Sequence, residues 1–341
     1  MVRYNFGLIL SQLRSESFDP AKSREHLQSV HLFFEVGHSL ARCRESGFLR
    51  CDDRSVVRFM TAALQTQYHP RPFLKWAGGK GRLLAQYRHC FPSQFRYYHE
   101  PFLGGGAIFF YLQDFCHQAV LADLNEELVN VYRCVRDDVE GLIALLRQHQ
   151  AQHGQDYYYA MRSQTQLPTP THRAARLIYL NKTCFNGLYR ENSKGHFNVP
   201  MGRYKKPRIC DEITLRQAAI ALRQTDLVCA EFTQVLEQAH TPHDFVYFDP
   251  PYHPISATSS FTGYNRYGFR AEDQERLQHT FVRLAERGVK VMLSNSDCEF
   301  IRDLYQDFHI AEIQASRAIN SNAKRRGKIS ELVITSYPLR S

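Results

Sequence analysis

A chain of 341 residues, 43% of them hydrophobic, is long enough to bury a sizeable core and too apolar to remain disordered. Its 43 Lys and Arg against 34 Asp and Glu leave a formal charge of +9, which favours a polyanionic partner. Nine scattered cysteines, odd in number and never spaced as CxxC, argue against a disulfide framework or a zinc site; no apolar run reaches membrane-spanning length or reads as a secretory leader, so a cytoplasmic protein away from the membrane is expected.

Residues 1–66 hold a short, partly periodic segment (Leu27, Val30, Leu32, Phe33, Phe34) broken at Gly37, then a polar stretch without a motif. With an in-frame Met60 just before the first strong motif, this extension reads either as an appended helical accessory or as sequence upstream of the working protein, whose core then begins near Gln67. Phe73-Leu74-Lys75-Trp76-Ala77-Gly78-Gly79-Lys80 follows and carries the only tryptophan. The indole face of Trp76 suits a purine or a sulfonium, and Lys75 and Lys80 suit a carboxylate or phosphate; a Trp packed beside a glycine turn is the plain alternative.

Tyr97 to Phe102 reads as a strand running into Gly104-Gly105-Gly106 and then a helix from Ala107 to Leu112. Such a turn lets backbone approach a ligand closely, or is purely structural. Phe109 stands where a dinucleotide fingerprint needs glycine or alanine, three residues after Gly106, and argues against NAD. Ala119 to Leu121 reads as a second strand ending at Asp123, whose carboxylate can accept both ribose hydroxyls of an adenosine moiety or cap the next helix. Leu128, Val131, Tyr132 and Val135 recur behind it at helical spacing. Residues 151–226 differ in character, being rich in turns, amides and positive charge, and read as a recognition insert. Val246 to Phe248, Val291 to Leu293 and Leu332 to Ile334 read as buried strands, with an amphipathic helix over 271–288. The alternation predicts an α/β, doubly wound sheet, built from 67–150 and 227–341 around the insert.

Asp249-Pro250-Pro251-Tyr252 directly follows the strand Val246 to Phe248. An exocyclic amine on an aromatic ring is a poor nucleophile because its lone pair is delocalised. The Asp249 carboxylate and the Pro250 carbonyl, on a backbone stiffened by Pro251, supply two acceptors that draw the nitrogen toward tetrahedral geometry. Tyr252 supplies a ring to stack on a flipped base. Proximity to a methyl donor does the rest, without a metal. A mere turn is the competing reading.

Taken together, FLKWAGGK, EPFLGGGAIF, ADLN, LNKTCFNGLYRENSKGHFNVPMGRYKKP, FDPPY, SATSSFT and LSNSD, in this order between about Arg71 and Tyr337, resemble the D12 class of adenine-specific, S-adenosylmethionine-dependent DNA methyltransferases of the GATC-recognising bacterial and phage type. The resemblance implies a seven-stranded Rossmann-like methyltransferase sheet with an inserted helical target-recognition subdomain. It implies S-adenosylmethionine bound by Trp76, Lys80, Phe102, Gly104, Gly106, Asp123 and Asp249, no metal, and duplex DNA bound by a monomer. Phe185 falls at an aromatic wedge, where tyrosine is usual; Asn186 contacts DNA, Leu188 touches a thymine and Arg190 reads a guanine. The basic runs Arg203-Tyr204-Lys205-Lys206-Pro207-Arg208 and Lys324 to Lys328 are phosphate-binding or simply solvated. An RNA or cytosine-amine methyltransferase of the same fold, and a catalytically silent DNA-binding prophage relic, are the alternatives.

Overall fold

The computed structural model describes residues 70–255, 268–316 and 328–339, all within the unit Tyr68–Ser341. The N-terminal extension, SATSSFT and the 324–327 part of the second basic run lie outside the described residues.

One sheet of seven strands organises the described chain: β1 (Tyr97–Glu100), β2 (Gln118–Asp123), β3 (Thr225–Cys229), β4 (Asp244–Phe248), β5 (Lys290–Ser296), β6 (His309–Ser316) and β7 (Lys328–Thr335). Their order is β3-β2-β1-β4-β5-β7-β6. β1 to β5 pair in parallel, and β7 runs antiparallel to both of its neighbours. The order reverses between β1 and β4, the place where a doubly wound sheet opens a crevice beyond its carboxyl ends. β4 is buried along its whole length, as a central strand covered on both faces must be. Side chains alternate across it: Phe245 and Tyr247 join one apolar layer, Val246 and Phe248 the other.

A short helix α1 (Leu84–Tyr87) precedes β1, and α2 (Ala107–Leu112) follows it across the glycine turn. Gly106 caps α2 in the left-handed region, φ 66°, and a Cβ there would lie 2.8 Å from the Tyr132 hydroxyl, so only glycine fits. α3 (Glu126–Asp137) starts at Asn125, whose side chain accepts the Leu128 N–H; the cap is therefore Asn125 and not Asp123. Between α3 and β3 the chain builds α4 (Val139–Ala151), α5 (Gln155–Ser163), α6 (Pro170–Thr183) and α7 (Glu212–Leu222), with α6 packed on α3 and α4. Residues 184–211 cross between α6 and α7 as an irregular loop tied by two isolated bridges, Cys184 to Met201 and Glu191 to Phe197. On the opposite layer α8 (Ala271–Glu286) buries Leu277, Phe281 and Leu284 and stops before Gly288, φ 79°, two residues short of the expected 288; α9 (Glu299–Leu304) buries Ile301. No helix among the described residues is long and apolar enough to cross a membrane.

Candidate active site

Asp249 leaves the carboxyl end of β4, and the buried Lys80 reaches it from the segment before α1: Nζ lies 2.7 Å from Oδ1. Lys80 also donates to the Gly78 carbonyl at 2.8 Å. From β5 the buried Ser294 hydroxyl donates to the same Oδ1 at 2.8 Å and shares a hydrogen bond with the Tyr247 hydroxyl. The Asp249 carboxylate is thus held by a cation and a hydroxyl, each fixed by packing.

The loop after it is pinned just as firmly. Gln274 of α8 donates to the Pro251 carbonyl at 3.0 Å, and Asn295 accepts the His253 N–H at 3.0 Å while donating to Gln274. Ser296 donates to the His253 carbonyl at 2.7 Å. Gln274 and Asn295 are both fully buried, so each amide has its partners where water is excluded. The Tyr252 hydroxyl donates to Glu331 Oε2 at 2.9 Å, and Lys80 Nζ stands 4.8 Å above the Tyr252 ring.

Across the switch point, Asp123 Oδ2 accepts the Gly104 N–H at 3.0 Å and Oδ1 accepts the Asn125 N–H at 2.9 Å. Burial pushes its carboxyl above the ordinary range against these N–H groups. Each oxygen retains acceptor capacity for a further hydroxyl. The next residue, Leu124, is 53% exposed, an apolar side chain presented to solvent beside a carboxylate. Phe102 is half-buried in an aromatic group, stacked on Phe232 and edge-on to Phe248 and Phe269. Phe109 is core: its side chain is buried and its N–H donates to Glu100, which is why no third glycine stands there.

Glu100 ends β1 as a buried acid that accepts from the Tyr98 hydroxyl and the Phe109 N–H. Burial raises its carboxyl from the ordinary 4.5 to about 8; Asp249 and Asp123 add to the rise and the two donors oppose it. Such a group keeps its proton in the folded chain and loses it in the unfolded one between these values. Its stabilising contribution is complete below pH 4.5 and lost as pH climbs to about 8. Unfolding free energy is expected to fall across that window by about 1.4 kcal/mol per pH unit from this group. Urea titrations of Glu100→Gln, neutral throughout, are expected to lack that slope; an unchanged slope would show a charged Glu100 in the native chain.

Trp76 lies over the glycine turn, its Cδ1 2.9 Å from where a Gly104 Cβ would stand, and stacks on Tyr189 with centroids 5.4 Å apart. The two lysines of its segment separate: Lys80 turns toward Asp249, whereas Lys75 is exposed with Nζ 4.0 Å over the Tyr204 ring. Asn181, 2% exposed on α6, ties this segment to the loop after α6. Its Oδ1 accepts the Lys75 N–H at 2.9 Å, and its Nδ2 donates to the Lys75 carbonyl at 2.7 Å and the Gly187 carbonyl at 3.1 Å. Gly187 has φ 65°, and a Cβ there would meet Lys75 Cβ at 2.5 Å.

That loop carries the expected DNA-binding side chains. Phe185 and Asn186 are exposed, Asn186 in the left-handed region at φ 55°, and Leu188 is half-buried. Arg190 is exposed, its Nε 2.7 Å from Asn198 Oδ1. Arg203, Lys205 and Lys206 are exposed without an ion pair among the described residues. Lys182 sits nearby, its ammonium brought down to about 8 by burial and then by the positive charge of Lys75, Arg71 and Arg208, with Asp211 opposing. No group of three or more His, Cys, Asp or Glu that could hold a metal ion occurs among the described residues.

Sequence reading singled out Asp249, Asp123 and Lys80 and missed Ser294, Gln274, Asn295, Glu331, Glu100 and Asn181. Asn295 and Ser294 lie in LSNSD and Asn181 in LNKT, polar letters that follow apolar runs, which is the signal that could have found them. Gln274 and Glu331 carry no such signal.

A seven-stranded sheet with one reversed strand, an acid closing β2 and Asp-Pro-Pro-Tyr closing β4 defines a doubly wound methyltransferase-type α/β enzyme. The model of the D12 class N6 adenine-specific DNA methyltransferase matches residues 76–319, and the chain belongs to that family. It is 43% identical to a Type II methyltransferase of Lactococcus lactis subsp. cremoris over 274 residues, covering 78% of this chain and 95% of that one. A Type II methyltransferase of Methanocaldococcus jannaschii is 40% identical over 287 residues, with 78% and 99% covered. A DNA adenine methylase of Serratia marcescens is 38% identical over 267 residues, with 77% and 97% covered. The protein is a DNA adenine-N6 methyltransferase.

Proposed function

We propose that the enzyme takes its methyl group from S-adenosylmethionine and places it on an adenine flipped out of duplex DNA within GATC, acting as a monomer. The observation that carries this reading is the Asp249 carboxylate, fixed by Lys80 and Ser294 at the end of β4 and separated by the switch point from Asp123 and the glycine turn.

The residues present fit the cofactor. Asp123 has acceptor capacity left for two ribose hydroxyls, Leu124 offers apolar surface beside it for a purine, and Gly104 and Gly106 let the turn pack closely under the Trp76 indole and on Tyr132; Trp76, Phe102 and Lys80 complete the set of residues that would hold it. S-adenosylmethionine, when bound, supplies a methyl on a positively charged sulfur. Asp249 and the Pro250 carbonyl accept the hydrogens of the target amine and draw its lone pair out of the ring, Pro251 stiffens the backbone between them, and Tyr252 fixes the plane of the base. As the N–C bond forms, the methyl–sulfur bond would break with its electron pair staying on sulfur, and the amine proton would leave to the Asp249 carboxylate, which is placed to take it.

Phe185 enters the base stack, Asn186 and Leu188 meet the site, Arg190 reads a guanine, and Arg203, Lys205 and Lys206 neutralise phosphates. Asn198 holds the Arg190 guanidinium in advance of binding. Arg190→Ala is expected to cost about 1–3 kcal/mol at one guanine and to relax the preference there. Methylation rates on oligonucleotides substituted at each position measure this, and an undiminished preference at every position would remove Arg190 from base reading.

Plasmid DNA from a methylation-deficient host producing the protein, digested with one enzyme that cuts only methylated GATC and one that cuts only the unmethylated site, tests the specificity. Cutting by the first with resistance to the second is expected. The reverse would place the methylated adenine in another sequence.

A further inference from the structure

We propose that Glu331 is a positioning residue of the reaction, one that orients the Tyr252 ring against the target adenine. The inference rests on the reading of Tyr252 as the ring that stacks on the base.

The reversed strand brings Glu331 to the reaction. β1 to β5 point their carboxyl ends at the site, and because β7 runs the other way, its opening residues reach that same edge: Glu331 pairs with Ser296, the last residue of β5. Oε2 of Glu331 then accepts the Tyr252 hydroxyl at 2.9 Å. A tyrosine has two side-chain torsions, and a loop position alone fixes neither. Here the backbone end is fixed by Gln274 on the Pro251 carbonyl and by Asn295 on the His253 N–H. Glu331 fixes the hydroxyl end, so the ring is held at both ends of its long axis. Lys80 Nζ, 4.8 Å from the centroid, stands over one face of the ring. A hydrogen bond to a charged acceptor is about twice as strong as a neutral one, enough to select one ring orientation from several. Glu331 touches neither cofactor nor the reacting nitrogen; it acts through the phenol.

The test compares single-turnover methyl transfer by the full-length enzyme bearing Glu331→Ala, Glu331→Gln, Tyr252→Phe, Tyr252→Ala and the Glu331→Ala/Tyr252→Phe pair. DNA affinity is measured in parallel, with 2-aminopurine fluorescence at the target position as the signature of base placement. Glu331→Ala and Tyr252→Phe are each expected to slow the step roughly 10- to 100-fold at unchanged DNA affinity. Glu331→Gln keeps an acceptor and is expected to stay within about threefold of the wild type. The pair is expected to be no slower than the worse single variant, since both break one bond. The 2-aminopurine signal is expected to change in both singles and not in Glu331→Gln. Rates that multiply in the pair, or a Glu331→Ala enzyme as fast as the wild type, overturn the proposal. A Tyr252→Ala enzyme of undiminished rate overturns the reading of Tyr252 as well, whereas a Tyr252→Ala collapse beside an unaffected Glu331→Ala overturns the role of Glu331 alone.

Discussion

Asp249→Ala is expected to abolish methyl transfer while DNA binding persists. The substitution removes one of the two acceptors available to the target amine, and the other, the Pro250 carbonyl, carries no charge with which to take the departing proton. It also strands Lys80: that side chain is 5% exposed, and its ammonium keeps the Gly78 carbonyl and the face of the Tyr252 ring but no counter-charge once Oδ1 is gone. Breaking a buried pair by deleting one partner costs about 3–5 kcal/mol, so the same variant is expected to be markedly less stable in urea. Loss of activity and loss of stability must therefore be separated. Asp249→Asn fills the same volume and can still bond Ser294, and is expected to fold and bind DNA while remaining inactive. Adding Lys80→Met to Asp249→Ala is expected to restore stability without restoring turnover. Radiolabelled methyl transfer to duplex DNA, read beside a DNA-binding titration, decides the matter. Turnover above about a hundredth of wild type in either Asp249 variant would strip the carboxylate of its assigned role.

The second large effect is expected at a residue that touches no reacting atom. Asn181→Leu keeps the shape of a buried amide and removes all three of its hydrogen bonds, leaving the N–H and carbonyl of Lys75 and the carbonyl of Gly187 without partners. Each polar group left unsatisfied costs about 1–3 kcal/mol where water cannot enter, and a destabilisation of several kcal/mol is expected in chemical denaturation. The functional consequence is more specific. The same contact region holds Trp76 on Tyr189 and Lys75 over Tyr204, so the staple joins the tryptophan segment to the loop that carries Phe185 to Arg190. Loosening it is expected to weaken cofactor binding and to blur site preference together. A variant that loses stability but keeps both properties intact would show Asn181 to be a packing residue only.

Much of this protein is readable along the chain. β2, β4, β5 and β7 announce themselves as short apolar runs, β1 by its run into the glycine turn, and α8 by the spacing of Leu277, Phe281 and Leu284, because a buried face imposes its period on the letters. β3 and β6 escape by that reading: they hold the two edges of the sheet, and Asp226 on β3 and His309 and Glu312 on β6 interrupt their apolar pattern. The helix cap moved from Asp123 to Asn125 for a related reason, since Asp and Asn are equally good caps and only the geometry of the strand end shows which one is free to turn back.

The loop proposed to carry the chemistry is legible in the sequence alone, because Asp249 to Tyr252 are contiguous and the roles proposed for them follow from what a carboxylate, a proline carbonyl and a phenol ring can do. The glycine turn and Asp123 are legible on the same ground, as strand-end residues of a recurring local pattern. What holds these groups in place is not local. Lys80, Ser294 and Glu331 approach the loop from three separate stretches of chain, and the fold makes them neighbours through the switch between β1 and β4 and the reversal of β7. Period and propensity report which face a residue buries; they carry no record of which distant strand will lie beside it, and that adjacency, settled only when the sheet closes, is what orients the carboxylate and the ring.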